Sequence, residues 1–118
     1  MSYGQGADNL ERTITTASVT AGSSNGAASV TTEGNRFTLS VTLNGTLSAD
    51  AKIGDITVNN SMVKSTSVIW AATQTTVALL PMAAHSVTDG SFKYTLHNHA
   101  GGPIAGNPTA VNNFIIYN

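Results

Sequence analysis

The sequence predicts an all-β domain, an antiparallel β-sandwich or jelly roll with an extended N-terminal arm, and three observations carry that prediction. Threonine and serine fill 29 of 118 positions while charged residues make up only 9%, against about 25% in ordinary soluble domains. β-Branched threonine as the main polar surface residue suits a pleated sheet and disfavours a helix. Two segments alternate with a period of two: residues 36–43 set Phe37, Leu39, Val41 and Leu43 against Arg36, Thr38, Ser40 and Thr42, and residues 91–97 set Phe92, Tyr94 and Leu96 against Ser91, Lys93, Thr95 and His97. Turn signals recur every eight to twelve residues or so, which divides the chain into roughly seven to nine short strands.

Taken in order, Met1-Ser2-Tyr3-Gly4-Gln5-Gly6-Ala7-Asp8-Asn9 is small, polar and glycine-bearing. Residues 1–9 read as an arm with no core of its own, either a loose terminus or a tether that orders on contact; residues 10–118 read as the sandwich domain. Residues 10–19 carry Ile14 and Val19 among threonines, a weak strand, and Ala21-Gly22-Ser23-Ser24-Asn25-Gly26 is a turn-rich loop. The strand at 36–43 ends in the turn pair Asn44-Gly45. Strands follow at 52–58 and 66–72, the latter with Val68, Trp70 and Ala72 on one face. Val77, Leu79 and Leu80 make a short apolar run stopped by Pro81, which cannot donate to a ladder and so marks a strand end or an edge.

Asp89-Gly90 supplies residues that accept positive φ, so the strand at 91–97 enters from a tight hairpin. His99-Ala100-Gly101-Gly102-Pro103-Ile104-Ala105-Gly106-Asn107-Pro108 is a loop by its glycines and prolines, long enough to be a contact surface. Phe114-Ile115-Ile116-Tyr117 returns as the last strand, and its apolar residues at both parities predict that both faces are covered. The expected core is Phe37, Leu39, Val41, Trp70, Phe92, Tyr94 and Leu96.

Composition bounds the function. The length suits one domain. Net charge is −1, and Arg12, Arg36, Lys52, Lys64 and Lys93 are spread singly, so no basic stripe is available to neutralise phosphates and no nucleic-acid partner is expected. Cysteine is absent, which leaves subunit association as the available reinforcement for a small domain. The N-terminus has neither a basic start nor an apolar run, and no stretch reaches membrane-spanning length. The expectation is a chain made in the cytoplasm, complete as written, with no membrane partner.

Candidate chemistry is sparse. His97 and His99, two apart on a strand, share a face and present two imidazoles to a metal, yet no third ligand stands at supporting spacing, and a solvated pair is the plainer reading. Whether they meet a metal at an oligomer axis stays open. A Ser/His/Asp set drawn from His85, Asp89 and any serine lacks a strained nucleophile turn. The six acidic residues, Asp8, Glu11, Glu33, Asp50, Asp55 and Asp89, are scattered singly, which suits turn solvation better than paired-carboxylate hydrolysis. Gly101-Gly102-Pro103 does not lead from a strand into a helix and is no phosphate cradle. Trp70 reads as core beside Val68, with a sugar-stacking platform as the alternative. No catalytic, cofactor-binding or metal-binding residue is assigned, no cofactor is expected, and an enzyme is the least supported class.

The passages Ile56-Thr57-Val58-Asn59-Asn60-Ser61-Met62-Val63, Ser65-Thr66-Ser67-Val68-Ile69-Trp70, Val87-Thr88-Asp89-Gly90-Ser91-Phe92 and Asn113-Phe114-Ile115-Ile116-Tyr117-Asn118 together resemble a small β-domain of tailed-bacteriophage virion proteins. Such domains occur as capsid decoration (cement) proteins and at the C-termini of head or tail fibres. The resemblance covers about residues 45–118. It implies a β-sandwich, a homotrimer and a structural role in the particle, with no catalytic or cofactor site to transfer. Residues 100–108 have no counterpart in it, so receptor contact by that loop stays open. The function expected is capsid decoration: a virion protein that binds the outer surface of the major capsid protein shell and stabilises it, with residues 1–9 reaching a neighbouring subunit across up to ~30 Å. The alternative is a fibre or receptor-binding tip that recognises a host-surface glycan.

Overall fold

The computed structural model describes residues 14–22, 28–74 and 78–118. The arm expected at residues 1–9, the start of the domain at 10–13, most of the loop expected after Gly22, and Val77 lie outside the described residues. The described residues form nine strands: β1 (Ile14–Gly22), β2 (Ala28–Thr31), β3 (Arg36–Asn44), β4 (Lys52–Asn59), β5 (Val68–Thr73), β6 (Leu79–Pro81), β7 (His85–Thr88), β8 (Ser91–Asn98) and β9 (Thr109–Tyr117). Among the described residues there is no helix, and two sheets pack into the expected sandwich.

One sheet has the order β1-β3-β9-β5; the other runs β2-β4-β8-β6, with β7 also on β8. Five strand pairings are antiparallel, but β1 runs parallel to β3 and β2 parallel to β4, so both sheets are mixed. Strands β1 to β4 alternate between the sheets, and each second strand therefore returns to its sheet pointing the same way. The crossover that a parallel pair requires is here a strand of the opposite sheet in place of a helix.

The alternation in β3 and β8 faces the core as expected: Phe37, Leu39, Val41 and Leu43 from one sheet meet Phe92, Tyr94 and Leu96 from the other, all buried. Phe114 of β9 sits among the aromatic side chains, stacked on Phe37 with centroids 5.1 Å apart and edge-on to Tyr94 at 4.9 Å. In β4 the register shifts between Ile53 and Ile56, so these two residues, three apart, both face inward. Asp89-Gly90 forms the predicted two-residue hairpin between Thr88 and Ser91, with Gly90 at φ 88°.

Two expectations are corrected. Trp70 is not in the core: it is 64% exposed, on the same outward face as Val68 at 57%. The inward positions of β5 belong to Ile69 and Ala71, which pack against the core. The last strand is not covered on both faces either, because Phe114 and Ile116 are buried while Tyr117 stays 49% exposed. Both errors come from apolar residues at both parities, which leave a period-two reading without a phase.

Two buried asparagines tie the loops down. Asn60 donates from Nδ2 to Thr32 Oγ1 and to the Gly34 carbonyl at 3.0 and 2.8 Å, and its Oδ1 accepts from the Met62 N–H at 2.9 Å. Asn98 donates from Nδ2 to the carbonyls of Ser48 and Gly102, both at 2.9 Å, and accepts from the Ala100 N–H at 2.8 Å. Their polar groups are thus satisfied away from water, as burial demands.

Candidate functional site

The outward face of β3, β9 and β5 carries the most distinctive surface. Ile115 on β9 has Arg36 of β3 on one side and Trp70 of β5 on the other; one step along the sheet, Asn113 stands between Thr38 and Ala72, and in the other direction Tyr117 pairs with Val68. Two shallow cavities open on this face. One, about 340 Å³, touches Arg36, Thr38, Gln74, Asn113 and Ile115; the other, about 260 Å³, is lined by Trp70, Ala71, Ala72, Asn113, Ile115 and Tyr117. They share Asn113 and Ile115, so they form one groove with a polar end at Arg36 and an apolar end at Trp70 and Tyr117. The Thr38 hydroxyl donates to Asn113 Oδ1 at 2.8 Å, and among the described residues Nδ2 has no hydrogen-bond partner.

Among the described residues strand β5 is the outer strand of its sheet and pairs only with β9. It has no charged residue, no proline and no register shift along Val68–Thr73. Charges, prolines and bulges are the usual means by which an edge is kept from pairing with another chain. Exposed apolar patches beside such edges are features that often mark interaction sites in proteins.

Elsewhere, the structure brings His97 and His99 together: His97 Nδ1 and His99 Nε2 are 2.7 Å apart, and His97 Nε2 lies 3.2 Å from the Asp50 carbonyl oxygen. Among the described residues no three His, Cys, Asp or Glu side chains gather around one point. His85 and Asp89 do not meet. His85 instead faces Asp55 at 3.2 Å and the neighbouring Ser86 hydroxyl at 3.1 Å on an exposed edge, and neither groove cavity touches them. Asp89 accepts from the Ser65 N–H at 2.9 Å, a turn role. The loop at residues 100–108 is pinned to the segment after β3 through paired backbone bonds between Leu47 and Ile104, both 2.8 Å, and through Asn107 Oδ1, which accepts from the Gly45 N–H at 2.8 Å.

No protein-family model matches the chain, and comparison with curated proteins and with solved structures finds no significant relative. The surface geometry therefore stands on its own. Among the described residues no helix is long and apolar enough to cross a membrane. Ile115 and Tyr117 are the surface residues that sequence reasoning missed; the signal was present in the doubled apolar parity of the last strand, read there as burial on both sides.

Proposed function

We propose that this chain is a virion structural protein, a bacteriophage capsid decoration (cement) protein that binds the outer surface of the major capsid protein shell and stabilises it as a homotrimer. The observation that carries the reading is the apolar face of Val68, Trp70, Ile115 and Tyr117 beside the unprotected β5 edge. A second copy of this chain is the occupant that fits. The face carries a single charged residue, Arg36, to steer an unlike partner, and an edge that no other described strand covers can recruit another strand. The threefold number comes from the sequence resemblance alone. Residues 1–9 then tether each subunit to the shell, where many weak arms reinforce one another through local concentration.

Co-sedimentation of the tag-free protein with empty shells tests this reading. Saturable binding that survives washing and raises the temperature at which shells rupture is the expected result. A protein that stays in the supernatant at all concentrations contradicts it.

One observation favours a second reading, a fibre or receptor-binding tip. The exposed Trp70 and Tyr117 rings flank a groove in which Asn113 Nδ2 has no partner among the described residues, and aromatic faces with a nearby amide suit a sugar. Quenching of Trp70 fluorescence by host-surface glycans, with no binding to shells, would favour the tip over decoration.

A further inference from the structure

We propose that His97 and His99 form a two-imidazole chelate for a borderline divalent transition cation, Cu²⁺ in preference to Zn²⁺. The site stands apart from the groove on the outer face, and its test is independent of the capsid reading.

The backbone holds both residues in place. The His99 N–H donates to the Ala78 carbonyl at 2.8 Å, the Asn98 N–H donates to the Ala51 carbonyl at 3.0 Å, and the buried Asn98 amide closes the turn between them by accepting from the Ala100 N–H. The chain therefore bends just after β8 and sets the His99 ring against that of His97. Their centroids are 4.1 Å apart with the planes at 84°, and Nδ1 of one faces Nε2 of the other at 2.7 Å.

The tautomers follow from the partners. His97 Nε2 faces the Asp50 carbonyl oxygen, an acceptor only, so Nε2 carries the proton and Nδ1 keeps its lone pair. Fixing a ligating imidazole through its remote N–H on a backbone carbonyl is how metal sites orient histidine. Without a cation, His99 Nε2–H donates to that lone pair. Transfer of the His99 proton to its own Nδ1 leaves two lone pairs facing each other across the 2.7 Å contact, and a swing of both rings turns them toward one point beside that line.

Spacing selects the cation. Two nitrogens about 2.0–2.1 Å from one ion are about 2.9 Å apart at a right angle and about 3.3 Å apart in a tetrahedron. The observed 2.7 Å is about 0.2 Å short of the square spacing and about three times that short of the tetrahedral one, and either arrangement also needs the rings to turn. Square geometry and the affinity order of divalent ions both favour Cu²⁺. The opposing feature is Lys52, directly across from His97 on β4; its ammonium repels the ion, although a flexible stem lets it swing away.

The experiment is calorimetric titration of the tag-free full chain with CuCl₂ and ZnCl₂ in a non-coordinating buffer. It is paired with electron paramagnetic resonance of the copper form and long-range ¹H–¹⁵N spectra of the imidazoles. The expected results are one Cu²⁺ per chain, tighter than Zn²⁺, with hyperfine structure from two nitrogens, and an Nε2–H tautomer at His97 before copper is added. His97→Ala or His99→Ala should weaken binding by at least about tenfold, Lys52→Gln should tighten it, and His85→Ala should leave it unchanged. Circular dichroism confirms that each variant folds. No copper binding in the millimolar range, or equal binding by a folded chain lacking both imidazoles, overturns the proposal.

Discussion

Trp70 stands directly across from Ile115 on the β5–β9 pair, on the face turned away from the core, with Tyr117 opposite Val68 beside it. Exposed Val68, Trp70 and Tyr117, with half-buried Ile115 among them, thus share one outward patch at the edge of a sheet whose inner face is already filled by Phe37, Leu39 and Phe114. The interior is filled without them, which is why the proposed self-contact is placed on this patch.

The Asn60 network predicts a large effect from a small change. Asn60→Ala removes the partner of the Met62 N–H and of the Gly34 carbonyl in a position that is almost fully buried. Urea unfolding should record a loss of about 1–3 kcal/mol. A loss below about 0.5 kcal/mol would mean that water replaces the amide freely.

Asn112 predicts the opposite sign. It is buried between Leu39 and Thr73 in the centre of the sheet, and neither Nδ2 nor Oδ1 has a partner among the described residues. Replacing an unsatisfied amide by a β-branched apolar side chain should stabilise, and Asn112→Val should gain about 1–3 kcal/mol in the same assay. A destabilised variant would contradict this.

Tyr94 sets the alkaline limit. Its hydroxyl is buried without a partner, and burial pushes the phenol well above its ordinary range. The unfolded chain releases this proton near pH ~10 while the folded chain holds it, so the unfolded state binds fewer protons there. Stability is full below that pH and falls above it, by up to about 1.4 kcal/mol per pH unit, until the folded group also ionises. Tyr94→Phe should be no less stable at pH 7 and should show a shallower alkaline decline. Superimposable pH profiles would refute the assignment.

At Gly54 a Cβ would meet Thr95 Oγ1 at 2.6 Å and Thr95 Cγ2 at 3.0 Å. Thr95 is β-branched and has little freedom to retreat. Gly54→Ala should cost about 1–3 kcal/mol, and adding Thr95→Ala should recover part of that loss. Strict additivity of the two substitutions would place the cost elsewhere.

The elements legible in the sequence are those with one apolar parity and a turn residue at each end: β3 closing on Asn44-Gly45, and β8 opening from Asp89-Gly90. β2 was missed because Ala28 and Val30 are too small to mark a face against Ser29 and Thr31. The parallel pairings escaped notice since their crossovers are strands of the opposite sheet, which local patterning does not encode. β5 is apolar at Val68, Ile69, Trp70, Ala71 and Ala72, so its existence was plain and its orientation was not. The spacing of His97 and His99 was visible, whereas their contact depends on the turn built by Asn98, whose own partners, Ser48 and Gly102, come from two different loops.

The most direct test of the central claim is the mass of the tag-free protein in solution, measured by sedimentation equilibrium at micromolar concentration for the native chain and for Trp70→Ser. The account predicts a trimer of about three times 12.1 kDa for the native chain, and a folded monomer for the variant because the indole is exposed in the isolated subunit. A native chain that sediments as a folded monomer, or a Trp70→Ser variant that remains a trimer, would contradict it.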